Sequence, residues 1–156
     1  VIFGGRGDTE LAGSIAAGIA AQGAVPGGKR GGAGPGVFNL AGLTSLRELC
    51  ATLSVCRVLL TNDTGPMHVA AAVGTPVVVP FGSTSPELTG PGLPADPRHR
   101  LLASDVPCRP CFRRECPIDL RCMRSITVEQ TVAAVVGLLC TASAVSLREG
   151  APPASP

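Results

Sequence analysis

The chain has no tryptophan and no tyrosine, and its 156 residues carry only four phenylalanines. Without those rings a base-stacking platform for single-stranded nucleic acid is hard to build. Charge of one sign is also lacking. Thirteen Lys plus Arg against eleven Asp plus Glu leave a net +2, too little to hold a phosphate backbone by electrostatics. Nucleic acid is therefore not expected as a partner. Secretion is not expected, because Arg6, Asp8 and Glu10 interrupt the first apolar residues. The longest apolar run, Thr131 to Leu147, is interrupted by Gly137, Thr141, Ser143 and Ser146, which suits a packed helix and a tail better than a membrane span.

What is present is 45% hydrophobic residues against 15% charged, a balance that suits one globular domain with its own core. That domain is expected over residues 1–149, followed by an unstructured tail at 150–156. Val1 to Phe3 already reads as a buried strand running into Gly4 and Gly5, so the chain is expected to be a fragment of a longer protein. Seven cysteines are an odd count in a chain of otherwise intracellular α/β character, which favours reduced thiols or a metal over a disulfide framework.

Short apolar runs alternate with helical patterns, the sequence form of βαβ units around a parallel sheet with flanking helices, a Rossmann-like α/β fold. Strands are predicted at Val1 to Phe3, Arg57 to Thr61 and Pro76 to Pro80, with weaker ones at Val37 to Asn39 and Arg100 to Ala103. Helices are predicted at Thr9 to Ala21, Ser45 to Ser54, Pro66 to Val73 and Val128 to Leu139, with Thr44 and Thr127 as N-caps. The Gly, Ala and Pro-rich stretch 22–36 is predicted to be a surface loop. Within it Gly23 to Lys29 satisfies G-x-x-x-x-G-K, but Arg30 follows where a P-loop needs Ser or Thr, and the segment follows a helix rather than a strand.

The informative segment is Leu59 to Ala72, LLTNDTGPMHVAAA, where a strand ends and a helix starts within a few residues. Ligands collect at the carboxyl ends of parallel strands, and the first turn of the next helix offers unpaired N–H groups to a phosphate. Pro66 suits the first helical position, Gly65 allows close approach to the backbone, and His68 lies in the first turn. Alone, the segment reads better as a helix capped by Asp63 or Thr64 with His68 packed on its surface. Downstream, Gly74 to Pro86 makes a second strand ending in a Gly-Ser-Thr turn on the same edge of the sheet.

With those strings in place, NLAGLTSLRELCATLS, VLLTNDTGPMHVAAAVGTPVVVPFGSTSPELTGP and PCRPCFRRECPIDLRCM together, the chain resembles the C-terminal domain of glycosyltransferase family 9, the ADP-heptose:lipopolysaccharide heptosyltransferases, and most of all their heptosyltransferase II branch. The resemblance implies the C-terminal half of a two-domain GT-B enzyme that moves heptose from ADP-heptose to the lipopolysaccharide inner core with inversion, at the cytoplasmic face of the inner membrane. It implies that Asp63, Thr64, Gly65 and His68 bind the donor. It also implies an acidic residue near the adenosine, for which Asp8 and Glu10 are the candidates and Asp8 the preferred one; both read as well as ordinary first-turn acids. The general base and the phosphate-binding lysine are expected in a missing N-terminal half, so no catalytic residue is assigned here and no cofactor is required. The fragment alone is expected to be inactive.

The loop 105–124 holds Cys108, Cys111, Cys116 and Cys122 at C-x2-C-x4-C-x5-C. A structural zinc on four thiolates fits such a set, although the spacing is tighter than in common zinc ribbons, and plain thiols in a packed loop are the favoured reading. Arg109, Arg113, Arg114, Arg121 and Arg124 interleave with them, a basic cluster for phosphorylated core sugar, for anionic lipid or simply for solvent. Cys50, Cys56 and Cys140 are expected to be small buried hydrophobes. Two alternatives stand beside the heptosyltransferase reading: a related GT-B enzyme using a UDP-sugar, and a cysteine-rich zinc module on an α/β scaffold.

Overall fold

A computed structural model describes residues 1–22, 25–26, 36–93 and 96–149. Most of the stretch 22–36, including the G-x-x-x-x-G-K match and Lys29, lies outside the described residues, as does the tail 150–156. Where the sequence suggests one domain, the chain divides into two compact units, Val1–Leu49 and Cys50–Pro156.

In the first unit a 3-10 turn, Arg6–Asp8, leads into helix α1, Thr9–Ala21, the range predicted. Val1 to Phe3 is not a full strand. Ile2 alone forms a parallel bridge with Asn39, donating to the Phe38 carbonyl at 2.8 Å while its own carbonyl accepts from Leu40 at 2.9 Å. The predicted loop contains a short strand, β1 at Val25–Pro26, parallel to β2 at Gly36–Val37. Extended Val and Pro backbone needs only one neighbouring edge to pair, and Gly36–Val37 supplies it. Helix α2, Leu46–Ser54, begins one residue later than predicted, because its N-cap is Ser45 rather than Thr44. The Ser45 amide and hydroxyl both donate to Glu48 Oε2 at 2.7 Å, and the Glu48 amide donates back to Ser45 Oγ at 3.3 Å. This capping box satisfies two N–H groups that would otherwise be orphaned at the helix start.

The second unit is built on a three-stranded parallel sheet in the order β3 (Leu59–Leu60), β4 (Val77–Phe81), β5 (Arg100–Ala103). Central β4 is the core: Val77, Val78, Val79 and Phe81 are fully buried, as a strand covered on both faces should be. Burial of each such side chain stabilises by about 1.5–3 kcal/mol. Helix α3, Gly65–Ala72, makes the crossover from β3 to β4. It ends in two hydrogen bonds, Thr75 N–H to the Ala70 carbonyl at 2.8 Å and Gly74 N–H to the Ala71 carbonyl at 3.1 Å, with Gly74 at φ +86°. This is a Schellman ending, and it turns the chain directly into β4. The Thr75 hydroxyl then donates to the Leu53 carbonyl at 2.6 Å.

Two short helices follow, α4 at Pro86–Thr89 and α5 at Arg121–Arg124, before the long α6 at Val128–Glu149. Helix α6 starts at the predicted Thr127 cap, whose hydroxyl accepts from the Gln130 amide at 3.2 Å while Gln130 Oε1 accepts from the Thr127 amide at 2.9 Å. It runs ten residues past the predicted end at Leu139, since Ala, Ser, Thr and Val after it contain no helix breaker. Among the described residues no helix is long and apolar enough to cross a membrane. Under the sheet, buried His99 accepts the Val77 N–H on Nδ1 at 3.3 Å, and burial holds its pKa below the usual histidine value.

The left-handed conformation at Gly74 is open to glycine and costly to an L side chain, although no atom would meet a Cβ there. Gly74→Ala should therefore lower stability by about 1 kcal/mol, read as a reduced midpoint in urea unfolding with an unchanged slope.

Candidate functional site

The site grows from the point where β3 stops. Parallel β3 pairs only Leu59 with Val77 and Leu60 with Val78, and the Thr61 N–H closes the ladder on the Val78 carbonyl at 3.1 Å. The carbonyls of Pro76 and Val78 face β3, so by alternation the nitrogen of Pro80 faces the same side, beyond the end of β3. A proline is tolerated in this central strand because its missing N–H falls where pairing has ended. The gap is a crevice at the carboxyl end of the sheet.

Asn62 to His68 line the way out of β3, and their geometry decides between a cap and a binding turn. Thr64 occupies the N-cap position of α3 in an extended conformation, with no side-chain hydrogen bond to the helix. Its hydroxyl instead turns back to the Asn62 carbonyl at 3.3 Å. Asp63 does not cap either: its Oδ2 lies 2.9 Å from the Thr89 hydroxyl, which is also 3.0 Å from the Ser85 carbonyl. The start of α3 is thus left without a side-chain acceptor. Pro66 is the second helical residue rather than the first, Gly65 has open space where a Cβ would stand, and His68 is exposed. Pro66 has no N–H and the Met67 N–H is bonded to the Thr64 carbonyl at 3.1 Å, so the uncapped start turns the Gly65 N–H and the positive end of the helix dipole toward whatever anion approaches.

Next to this turn lies a concavity of about 330 Å³. It is lined by Asn62 and Asp63, by Pro80 with Gly82, Ser83 and Thr84, and by the cysteine-rich loop, including Arg113, Arg114, Cys116, Ile118 and Arg121. Its volume falls at the lower end of the range of about 300–1,000 Å³ typical of small-molecule sites. The loop is fixed to the turn after β4 through main-chain atoms. The Arg109 guanidinium donates to the carbonyls of Gly82 at 2.7 Å, Thr84 at 2.8 Å and Ser104 at 2.8 Å. The amides of Cys111 and Phe112 both donate to the Ser83 carbonyl, at 3.0 and 2.9 Å.

Cys108, Cys111, Cys116 and Cys122 all line this concavity, so the loop brings the four thiols to one place. It does not assemble them as ligands. Among the described residues no three His, Cys, Asp or Glu side chains are gathered for a metal ion, and all seven cysteines are free. The sulfur of Cys116 is engaged locally: backbone N–H groups at Ile118 above all, and at Leu120 and Asp119, point to it and hold its pKa below the usual thiol range. The Leu120 amide lies 3.3 Å away. Cys122 is buried and Cys111 and Cys116 are exposed. Cys140, expected to be buried, is exposed, and Cys50 and Cys56 are half-buried. A cysteine in a helical pattern is buried only on the face that meets the core, and Cys140 falls on the other face of α6.

Asp8 and Glu10 belong to the first unit. Both are exposed. Asp8 Oδ2 accepts the Gly5 amide at 2.7 Å, and a Cβ at Gly4 would stand 2.8 Å from the Asp8 Cβ, so this carboxylate fastens the turn ahead of α1. Its second oxygen has no such bond.

Residues 6–121 match the family described as Glycosyltransferase family 9 (heptosyltransferase), and the chain belongs to that family. It is 32% identical over 104 residues to lipooligosaccharide heptosyltransferase 2 of Campylobacter jejuni, covering 66% of this chain and 32% of that protein. Over 53 residues it is 45% identical to lipopolysaccharide heptosyltransferase 2 of Escherichia coli, 34% of this chain and 15% of that one. Among solved structures it is similar to ADP-heptose lipopolysaccharide heptosyltransferase II of E. coli, with TM-score 0.65 and 26% identity over 89% of this chain and 35% of the other. The family 9 glycosyl transferase of Veillonella parvula gives TM-score 0.61 at 26% identity over 89% of this chain and 36% of that one. The parallel sheet with flanking helices is thus the GT-B-like α/β fold of these enzymes. The chain spans about a third of the length of the Campylobacter relative and of both solved structures.

Two outcomes follow from the loop. Arg109→Lys keeps the charge but cannot reach three carbonyls with one ammonium, and each charge-assisted bond lost costs about 1.5–3 kcal/mol; hydrogen exchange at the amides of Cys111 and Phe112 should accelerate in that variant. At pH 7, Cys116 should alkylate with iodoacetamide faster than Cys111 or Cys140. Peptide mass spectrometry reads both rates.

Proposed function

We propose that this chain forms the donor-binding part of an inverting heptosyltransferase, one that moves heptose from ADP-heptose to the inner core of lipopolysaccharide. The observation that carries the reading is the uncapped start of α3 beside an Asp63 carboxylate held by Thr89, at the carboxyl edge of a parallel sheet in a family 9 glycosyltransferase. In this reading the N–H of Gly65 and the α3 dipole receive the diphosphate, and Asp63 accepts hydrogen bonds from sugar hydroxyls. His68 adds a donor in the first turn, and Asp8 or Glu10 contacts the adenosine.

The chemistry these residues supply is support of the leaving group. As the bond from the anomeric carbon to the diphosphate breaks, negative charge grows on ADP, and the preorganised Gly65 N–H with the α3 dipole stabilises it without a metal. The general base that takes the proton from the acceptor hydroxyl is assigned to the N-terminal domain of the full enzyme, which also completes the donor cleft. The enzyme is placed in the cytoplasm, in peripheral contact with the inner membrane where its lipid-linked acceptor resides. No cofactor is required. A structural zinc on the cysteine-rich loop would need Cys108, Cys111, Cys116 and Cys122 to move into tetrahedral geometry.

ADP, with UDP as control, titrated into the chain should shift backbone amide resonances clustered at Gly65 and Met67 to His68. Asp63→Ala should weaken binding of ADP-heptose roughly tenfold, the scale of one hydrogen bond to a charged group, while leaving the response to ADP nearly unchanged. A preference for UDP would favour a UDP-sugar enzyme, and no response to either nucleotide in a folded chain would count against the donor-site reading.

A further inference from the structure

The Thr89 hydroxyl has one proton and two oxygens within reach of it. Asp63 Oδ2 lies 2.9 Å away and the Ser85 carbonyl 3.0 Å away. That carbonyl already accepts the Leu88 N–H at 3.1 Å and the Thr89 N–H at 2.9 Å, one for each of its two lone pairs. An ionised carboxylate can only accept, and a hydrogen bond to a charged acceptor is the stronger of the two. The hydroxyl proton therefore goes to Asp63.

Thr89 is the last residue of α4, and both ends of that short helix are pinned. At its start Ser85 is buried, and its hydroxyl bonds Glu87 Oε2. At its end the Gly90 N–H donates to the Pro86 carbonyl at 2.9 Å. A Cβ on Gly90 would run into that same oxygen and stand 3.2 Å from Leu101 Cδ1 of β5, so only glycine closes the helix this tightly against the sheet. Thr89 thus faces Asp63 from a support with little room to shift. It is half-buried and does not line the concavity that Asp63 lines. Any effect it has on a ligand there passes through the carboxylate.

We propose that Thr89 is a positioning residue for the sugar: its hydroxyl holds the Asp63 carboxylate in one rotamer, with Oδ1 and the second lone pair of Oδ2 turned to hydroxyls of the donor sugar. This rests on the donor reading above, in which Asp63 accepts from sugar hydroxyls and the start of α3 takes the diphosphate. A carboxylate already fixed in its binding rotamer loses no side-chain freedom when the sugar arrives. Thr89 therefore acts on recognition of the sugar and leaves the nucleotide alone, although it touches neither.

The test compares Thr89→Val, which keeps the shape and removes the hydroxyl, with Thr89→Ser, which keeps the hydroxyl. Two readouts are taken by NMR on the chain: the three-bond couplings that report χ1 of Asp63, and amide titrations with ADP-heptose and with ADP. The couplings should show one rotamer in the unsubstituted chain and in Thr89→Ser, and an average of rotamers in Thr89→Val. Affinity for ADP-heptose should fall roughly threefold to tenfold in Thr89→Val and recover in Thr89→Ser, with ADP affinity the same in all three. In an Asp63→Ala background, Thr89→Val should cost nothing further, since the group it acts through is gone. An Asp63 rotamer unchanged in Thr89→Val would overturn the proposal. So would an equal loss for ADP and ADP-heptose, no recovery in Thr89→Ser, or a full further loss in the Asp63→Ala background, each of which makes Thr89 a merely structural residue. If ADP-heptose does not bind the unsubstituted chain, the donor reading fails, and the couplings by themselves still decide whether Thr89 sets the carboxylate.

Discussion

Strand β4 needs partners on four sides at once: a strand on each edge and apolar cover on each face. A parallel strand buried in this way has no water to satisfy its backbone, so the lengths of its neighbours decide where the protein can open. On the β5 side pairing runs from Val78 to Phe81, whereas on the β3 side it stops at Val78. Pro80 makes the shortfall harmless, because it has no N–H to leave unpaired. The crevice, the turn at Gly82 to Thr84 and the loop fastened to that turn all follow from this asymmetry.

Much of this was legible in the residues. Helix α1 and strand β5 have the bounds that periodicity and flanking turns suggest, because their limits are set locally. The cap of α6 was equally visible, since Thr127 and Gln130 carry both halves of a capping box. The cap of α2 was misplaced by one residue because Thr44 and Ser45 are both hydroxyl residues, and only the Glu three positions beyond Ser45 decides between them. Val1 to Phe3 shows the opposite limit: β-branched residues favour extension, but the number of residues that pair depends on the neighbouring edge, which propensity does not encode.

At the site, sequence singled out the turn after β3 but left its chemistry open. Asp63 reads as a helix cap until Thr89, twenty-six positions away, is seen beside its carboxylate. The arginines of the loop look like one basic cluster in the sequence, yet they are not equivalent, and only long-range geometry separates Arg109, bound to three carbonyls, from Arg121, paired with Asp119. Four cysteines at short spacing suggest a zinc set, but spacing cannot tell that Cys116 directs its sulfur at the amides just after it.

The way the cysteine-rich loop is fastened has an evolutionary consequence. Arg109 and the amides of Cys111 and Phe112 bind carbonyl oxygens, which every residue possesses, so the side chains at Ser83, Thr84 and most of the loop are free to drift without loosening the attachment. One arginine and two backbone amides therefore hold the loop in place while its lining residues are exchanged. A loop attached in this manner can change what it recognises by a few substitutions, with the sheet beneath it untouched.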